Sequence, residues 1–243
     1  MKAEEQLTQL VTRLKNAAGS NLLSVILYGS AATDEFHPEH SDLNILCIMR
    51  DLSREELSKL HAASSWWAKK GHPAPLFFTQ NELHHSADIF AIELLDIKAA
   101  RRILYGEDVI AALAVPTDRH RMQVERELRN NALRLRQLYV MKAGDSRKTL
   151  ELMLSSISTF VALFRHALLA LGEEPPSTKR AAVERARLAL EFDPSPFHTL
   201  LDVREGRKRQ REVDVQATFD KYLHAIVKAT EEVDRRLAIP QAK

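Results

Sequence analysis

Strand-like patterns are confined to the first half of this 243-residue chain, and that asymmetry limits the folds open to it. Up to about residue 115, short apolar runs alternate with helical patterns: LLSVILY (22–28), DLNILCIM (42–49), PLFF (75–78) and IFAIELLDI (89–97). Runs rich in β-branched and aromatic residues, punctuated by Gly, Pro, Asn and Asp, read as strands, and a helix between two of them suggests a mixed sheet. Ser53 to Glu56 reads S-R-E-E, a capping-box pattern, so a helix is expected from Ser53 to Lys70.

Beyond Pro116 the strand signals stop. His120 to Met141 places Val124, Leu128, Leu135 and Leu138 on roughly one helical face, and Thr149 to Leu171 is apolar almost all round, the pattern of a helix central to a bundle. Gly172 serves as its C-cap before Pro175 and Pro176, and two further helices, Thr178 to Glu191 and Val213 to Leu237, complete a unit of four or five. The expectation is an α+β protein: a small mixed-sheet domain over residues 1–115, then a helical bundle over 116–243.

Seven glycines, no two closer than Gly19 and Gly29, rule out the phosphate loops that need several glycines within six residues. If phosphate is handled, one glycine must do it. Cys47 is the only cysteine, which excludes an internal disulfide and a cysteine-based zinc site and fits a reducing, cytoplasmic setting. The N-terminus is charged and helix-like, and no stretch approaches an uncharged apolar membrane span, so no membrane is expected. A formal charge of +2 is too small to make nucleic acid the expected partner.

The segment that carries chemistry is V25-I-L-Y-G-S-A-A-T-D-E-F-H-P-E-H-S-D-L-N-I-L-C-I-M49, in which a strand runs into Gly29-Ser30 and a second opens with Ser41-Asp42-Leu43-Asn44. It resembles the signature of the DNA polymerase β-like nucleotidyltransferase superfamily, an apolar strand ending in Gly-Ser followed by a strand bearing Asp-x-Asp. The resemblance covers about 25 residues closely and the first half loosely. The helical second half is similar in layout to aminoglycoside nucleotidyltransferases.

The resemblance implies transfer of a nucleoside monophosphate from a nucleoside triphosphate to a hydroxyl acceptor, of a small molecule or a protein, with Mg²⁺ or Mn²⁺. Gly29, Ser30 and Ser41 would hold the nucleotide, while Asp42 and Asn44 would hold the metal. Residues i and i+2 of a strand face the same way, so two side-chain oxygens meet at one place. Magnesium binds through one or two carboxylates plus substrate phosphates. A glycine lets backbone approach phosphate without a Cβ in the way.

Three departures bear on activity. Asn44 stands where the family has its second acid, and an amide oxygen brings no charge. Asp34 stands near the position of a frequent second glycine, and PLFF contains no acid where a third carboxylate is expected. The next strand candidate, A91-I-E-L-L-D-I97, supplies Glu93 as the general base, with Asp88 and Asp96 behind it. A catalytically degenerate nucleotide-binding or protein-interaction module is therefore the alternative reading.

The remaining features read more plainly. His37-x-x-His40 with Glu39, and His84-His85 with Asp88, have ligand-like spacing but lack the cysteines of a common zinc site, and His37 and His40 are expected to decorate the loop over the nucleotide site. The basic run 204–211 is diluted by neighbouring acids and has no aromatic for base stacking. Of Trp66 and Trp67, at least one is expected against the sheet.

Overall fold

A computed structural model describes residues 3–33 and 42–237, so Ser41, Asp34, His37, Glu39 and His40 lie outside the described residues. The chain forms two compact units, Met1–Asp118 and Arg119–Lys243.

The first unit runs α1 (Ala3–Ala18), β1 (Leu22–Tyr28), a single 3₁₀ turn (Gly29–Ala32), β2 (Asn44–Met49), α2 (Arg54–Lys59), α3 (His61–Ala68), β3 (Leu76–Thr79), α4 (Gln80–His85), α5 (Ala91–Ala99) and β4 (Arg101–Gly106). Its four strands lie in the order β3-β2-β1-β4. β1 is antiparallel to both neighbours, and β2 pairs in parallel with β3 after the α2–α3 crossover.

β1 and β2 are buried on both faces, which is why they read as continuous apolar runs. Val25, Leu27, Ile45, Cys47 and Met49 pack with Leu7, Leu10 and Leu14 of α1 and with Trp67, which is 0% exposed. Ile26, Leu46 and Ile48 face the other way, toward Leu83 of α4 and Leu94 and Ile97 of α5.

Two expectations are corrected here. The segment bearing Glu93 is the helix α5 rather than a strand: Ala91, Leu94 and Ile97 are its buried positions, a spacing of three that only a helix turns to one side. The neighbouring strand is instead β4, whose arginines disguise it. It is an edge strand, where charge is tolerated and guards against unwanted pairing; Arg101 binds Asp108 and Arg102 binds Glu4. The helix expected over 53–70 is two helices that meet at Leu60, and only half of its capping box forms. Ser53 Oγ accepts from the Glu56 amide, while the Glu56 carboxylate turns to Asn21 Nδ2 at 2.9 Å.

The second unit contains α6 (His120–Lys142), α7 (Ser146–Ala170), α8 (Lys179–Leu190), α9 (Ser195–Arg204) and α10 (Val215–Leu237). α7 packs against the other four. By length and composition it is apolar enough to cross a membrane, but 56% of its most apolar window is buried. It ends in a Schellman motif: Glu173 N–H donates to Leu168 O, Gly172 N–H donates to Leu169 O, and Gly172 takes φ 81°. Phe164, Phe192, Phe197 and Tyr222 form a ring cluster around it, with centroids 4.9–5.7 Å apart. Much of the basic run is engaged locally, since Arg204 binds Ser158, Arg207 binds Glu205 and Arg209 binds Glu212.

On α10 the buried Glu232 is held by Arg235 at 2.5 Å, Lys228 at 2.9 Å and Arg236 at 3.5 Å. Hydrogen bonds from Arg235 and Lys228 pull its pKa from 4.5 down to about 2. A carboxylate depressed by folding contributes stability that is complete above its unfolded pKa and is lost as pH falls through the folded one. Stability should therefore decline between pH 4.5 and about 2, and Glu232→Gln should flatten that slope in denaturant titrations across this range.

Candidate nucleotide site

The site is built where β1 leaves the sheet. Gly29 follows Tyr28 directly with φ 78°, a left-handed value that favours glycine. Its N–H donates to Ala100 O at 3.0 Å, which ties the turn to the residue before β4. Ser30 closes the turn: its carbonyl accepts from the Thr33 amide at 3.3 Å and the Thr33 hydroxyl at 3.0 Å. The half-buried Ser30 hydroxyl has no protein partner among the described residues.

Strand register then delivers the second element. Tyr28 pairs with Asn44, so the Asn44 side chain stands over the turn, and a Cβ placed on Gly29 would lie 3.4 Å from Asn44 Nδ2. Leu43 is buried in the α1-side core, which directs its neighbours elsewhere; Asn44 is half-buried and Asp42 exposed. Gly29, Ser30, Asp42 and Asn44 thus gather at one end of the β1–β2 pair.

Two residues that sequence reasoning missed lie around this end. Burial pushes the His72 imidazole pKa down, and the Asp42 carboxylate pulls against it, so the two are within electrostatic reach. His72 is held by Gln6 Oε1 at 2.7 Å and by Trp67, whose ring centroid is 4.2 Å away. No sequence pattern marks it: His72 precedes β3, which pairs in parallel with β2 from Leu46↔Leu76 onward. Tyr28 is the other. Its phenol pKa is raised by burial and then by the charge of Glu93, which places that exposed carboxylate near the β1 terminus, on the sheet face that α5 covers.

β3 carries no acid, and among the described residues no three of His, Cys, Asp or Glu converge into a metal-binding group. Glu93 therefore does not join Asp42 in such a cluster, and neither do His84, His85 and Asp88 form one. A carboxylate and a neutral amide oxygen are hard donors. They suit one Mg²⁺ or Mn²⁺ shared with substrate phosphates better than a pair of ions held by protein alone.

No protein-family profile matches the chain, and no curated protein matches it. Among solved structures, the chain is similar to the spectinomycin adenyltransferase AAD(9) from Enterococcus faecialis, determined with ATP and spectinomycin. The TM-score is 0.58 at 14% identity, over 96% of this chain and 100% of that one. A nucleotidyltransferase-like protein from Exiguobacterium sibiricum 255-15 aligns over 97% of this chain and 78% of its own, at 15% identity and a TM-score of 0.37. The chain has a nucleotidyltransferase fold of the α+β class, a small mixed sheet accompanied by a large helical region.

Proposed function

We propose that the chain binds a nucleoside triphosphate together with Mg²⁺ or Mn²⁺ and transfers the nucleoside monophosphate to a hydroxyl of a small molecule or protein. The observation that carries this reading is the Tyr28↔Asn44 register, which sets the Gly29-Ser30 turn beside Asp42 and Asn44. Gly29 leaves room for phosphate, and Ser30 donates its hydroxyl, with Ser41 in a similar role. Asp42 is the charged cation ligand and Asn44 a neutral one. A divalent cation bound there would neutralise charge on the phosphates during displacement. The acceptor oxygen bonds to the α-phosphorus as the bond to pyrophosphate breaks, and Glu93 takes the hydroxyl proton. ATP is the first nucleotide to test, since the similar adenyltransferase was solved with it.

A second reading is nucleotide binding without turnover. It is favoured by Asn44 at the second ligand position and by the absence of an acid in β3.

Each labelled triphosphate, incubated with Mg²⁺ or Mn²⁺ and a panel of hydroxyl acceptors, decides between them through pyrophosphate release and adduct mass. On the transferase reading turnover appears and falls about a hundredfold or more in Asp42→Ala, a loss of ~2.7 kcal/mol in barrier terms. Saturable nucleotide binding with no adduct would favour the second reading. Protein that neither binds nor turns over a triphosphate would contradict both.

A further inference from the structure

The Gly29 turn is tied to the start of β4 by the 3.0 Å hydrogen bond from Gly29 N–H to Ala100 O. Ala100 is the single residue between α5 and β4, so whatever fixes that corner also fixes the turn. The corner is fixed by Arg101, which stands opposite Tyr28 in the β1–β4 register. Its Nε donates to both carboxylate oxygens of Asp108 at 3.0 Å, Nη2 donates to Asp108 Oδ2 at 2.9 Å, and Nη1 donates to Lys98 O near the end of α5. Each of the three guanidinium nitrogens therefore already has an acceptor within the sheet unit.

Asp108 is itself held in place. It opens the turn after β4, where its Oδ1 accepts from the Ile110 amide at 3.2 Å and the Ala111 amide at 3.1 Å, the side-chain-to-backbone pattern that favours Asp at a turn. Ile110 and Leu113 are buried with Leu94 and Ile97 of α5, and Lys98 Nζ donates to Leu113 O at 2.8 Å. An exposed ion pair is worth little. At 20% and 32% side-chain exposure, Arg101–Asp108 is better shielded than Arg102–Glu4 at 44% and 73%, and a planar fork fixes direction as well as distance. The pair thus joins α5, Ala100 and the turn after β4 into one piece.

We propose that Arg101 and Asp108 are positioning residues for the nucleotide turn, in which the fork of Arg101, rather than its charge, sets Ala100 O where Gly29 N–H meets it. The consequence for binding rests on the nucleotide reading of the turn; the hydrogen bond does not. Hydrogen exchange of the nucleotide-free chain reads that bond directly. In Arg101→Lys and in Asp108→Asn the Gly29 amide should exchange at least about tenfold faster, with Val25 and Ile26 inside β1 unchanged. Native protection of Gly29 in the variants, or a loss shared equally by Val25 and Ile26, would overturn the positioning role. Should one variant not fold, the other decides.

Titration with Mg²⁺–ATP separates position from charge by sign. Asp108→Asn removes a negative charge, which by charge alone would tighten binding of a polyanion, and Arg101→Lys keeps the positive one. Positioning instead weakens binding about fivefold to tenfold in both variants, because neither retains the fork between Arg101 and a carboxylate. Tighter binding in Asp108→Asn, or native affinity in Arg101→Lys, would overturn the proposal. A native chain that binds no Mg²⁺–ATP while Gly29 exchange responds as stated would remove the nucleotide reading and leave the clamp on the turn standing.

Discussion

Gly106→Ala is expected to lower the stability of the sheet unit by at least about 3 kcal/mol, a large fraction of an ordinary margin of about 5–15 kcal/mol. Gly106 closes β4 with φ 75°, and a Cβ added there would fall 1.9 Å from the Leu23 carbonyl oxygen and 3.0 Å from Ser24 Cα. Both neighbours are backbone of the central strand, so no side-chain rotation relieves the overlap. β4 must move away from β1. That movement breaks the Ser24↔Gly106 and Val25↔Tyr105 pairings. It also strips the fully buried Ser24 hydroxyl of its acceptors, Tyr105 O at 3.1 Å and Glu107 O at 2.8 Å. An orphaned buried hydroxyl costs about 1–3 kcal/mol, and the left-handed backbone adds about 1–2 kcal/mol for a residue with a Cβ. Gly71 is the control: its φ is 88° with nothing within 4 Å, so Gly71→Ala bears the backbone term alone. Urea titrations of the two variants should separate them by about 2 kcal/mol or more. Equal losses would show that β4 adapts without strain.

The second large effect is expected from Asn44→Asp. The substitution changes one amide for a carboxylate of the same shape, directly over the Gly29 turn and two residues from Asp42. Without metal the new charge lies near Asp42 and is unfavourable. With Mg²⁺ or Mn²⁺ it supplies the second charged ligand that hard cations favour. Affinity for the metal–triphosphate complex should rise about tenfold, equivalent to ~1.4 kcal/mol, and turnover should rise at least as much. The sign of the change depends on the cation, so isothermal titration with and without Mg²⁺ reads it directly. A variant that binds the triphosphate no better than the native chain at saturating Mg²⁺ would mean that Asn44 does not face the cation.

The strands central to the sheet were legible because two-sided burial writes itself as an unbroken apolar run, as in β1 and β2. β4 was hidden for the opposite reason. An edge strand that begins Arg101-Arg102 carries little apolar signal, although both side chains find acids once the chain has folded. The run containing Glu93 reads as a strand because isoleucine and leucine suit either element, and only the spacing of Ala91, Leu94 and Ile97 marks the helix.

At the site, Gly29, Ser30, Asp42 and Asn44 were visible because the β1–β2 register brings together two segments near in sequence. His72 and Tyr28 were not. His72 reaches Asp42 only through the parallel crossover, and the tie between Tyr28 and Glu93 depends on how α5 lies against the sheet. Such pairings are tertiary facts without a local pattern.

The most direct measurement of the account is the location of a paramagnetic cation. Mn²⁺ added with ATP to the isotope-labelled chain should broaden amide resonances of Tyr28 to Ala32 and of Asp42 to Leu46 well before those of the rest of the chain. Asp42→Ala should abolish that pattern. Broadening centred elsewhere, or the same pattern surviving in Asp42→Ala, would contradict the assignment of the nucleotide site to the Gly29 turn.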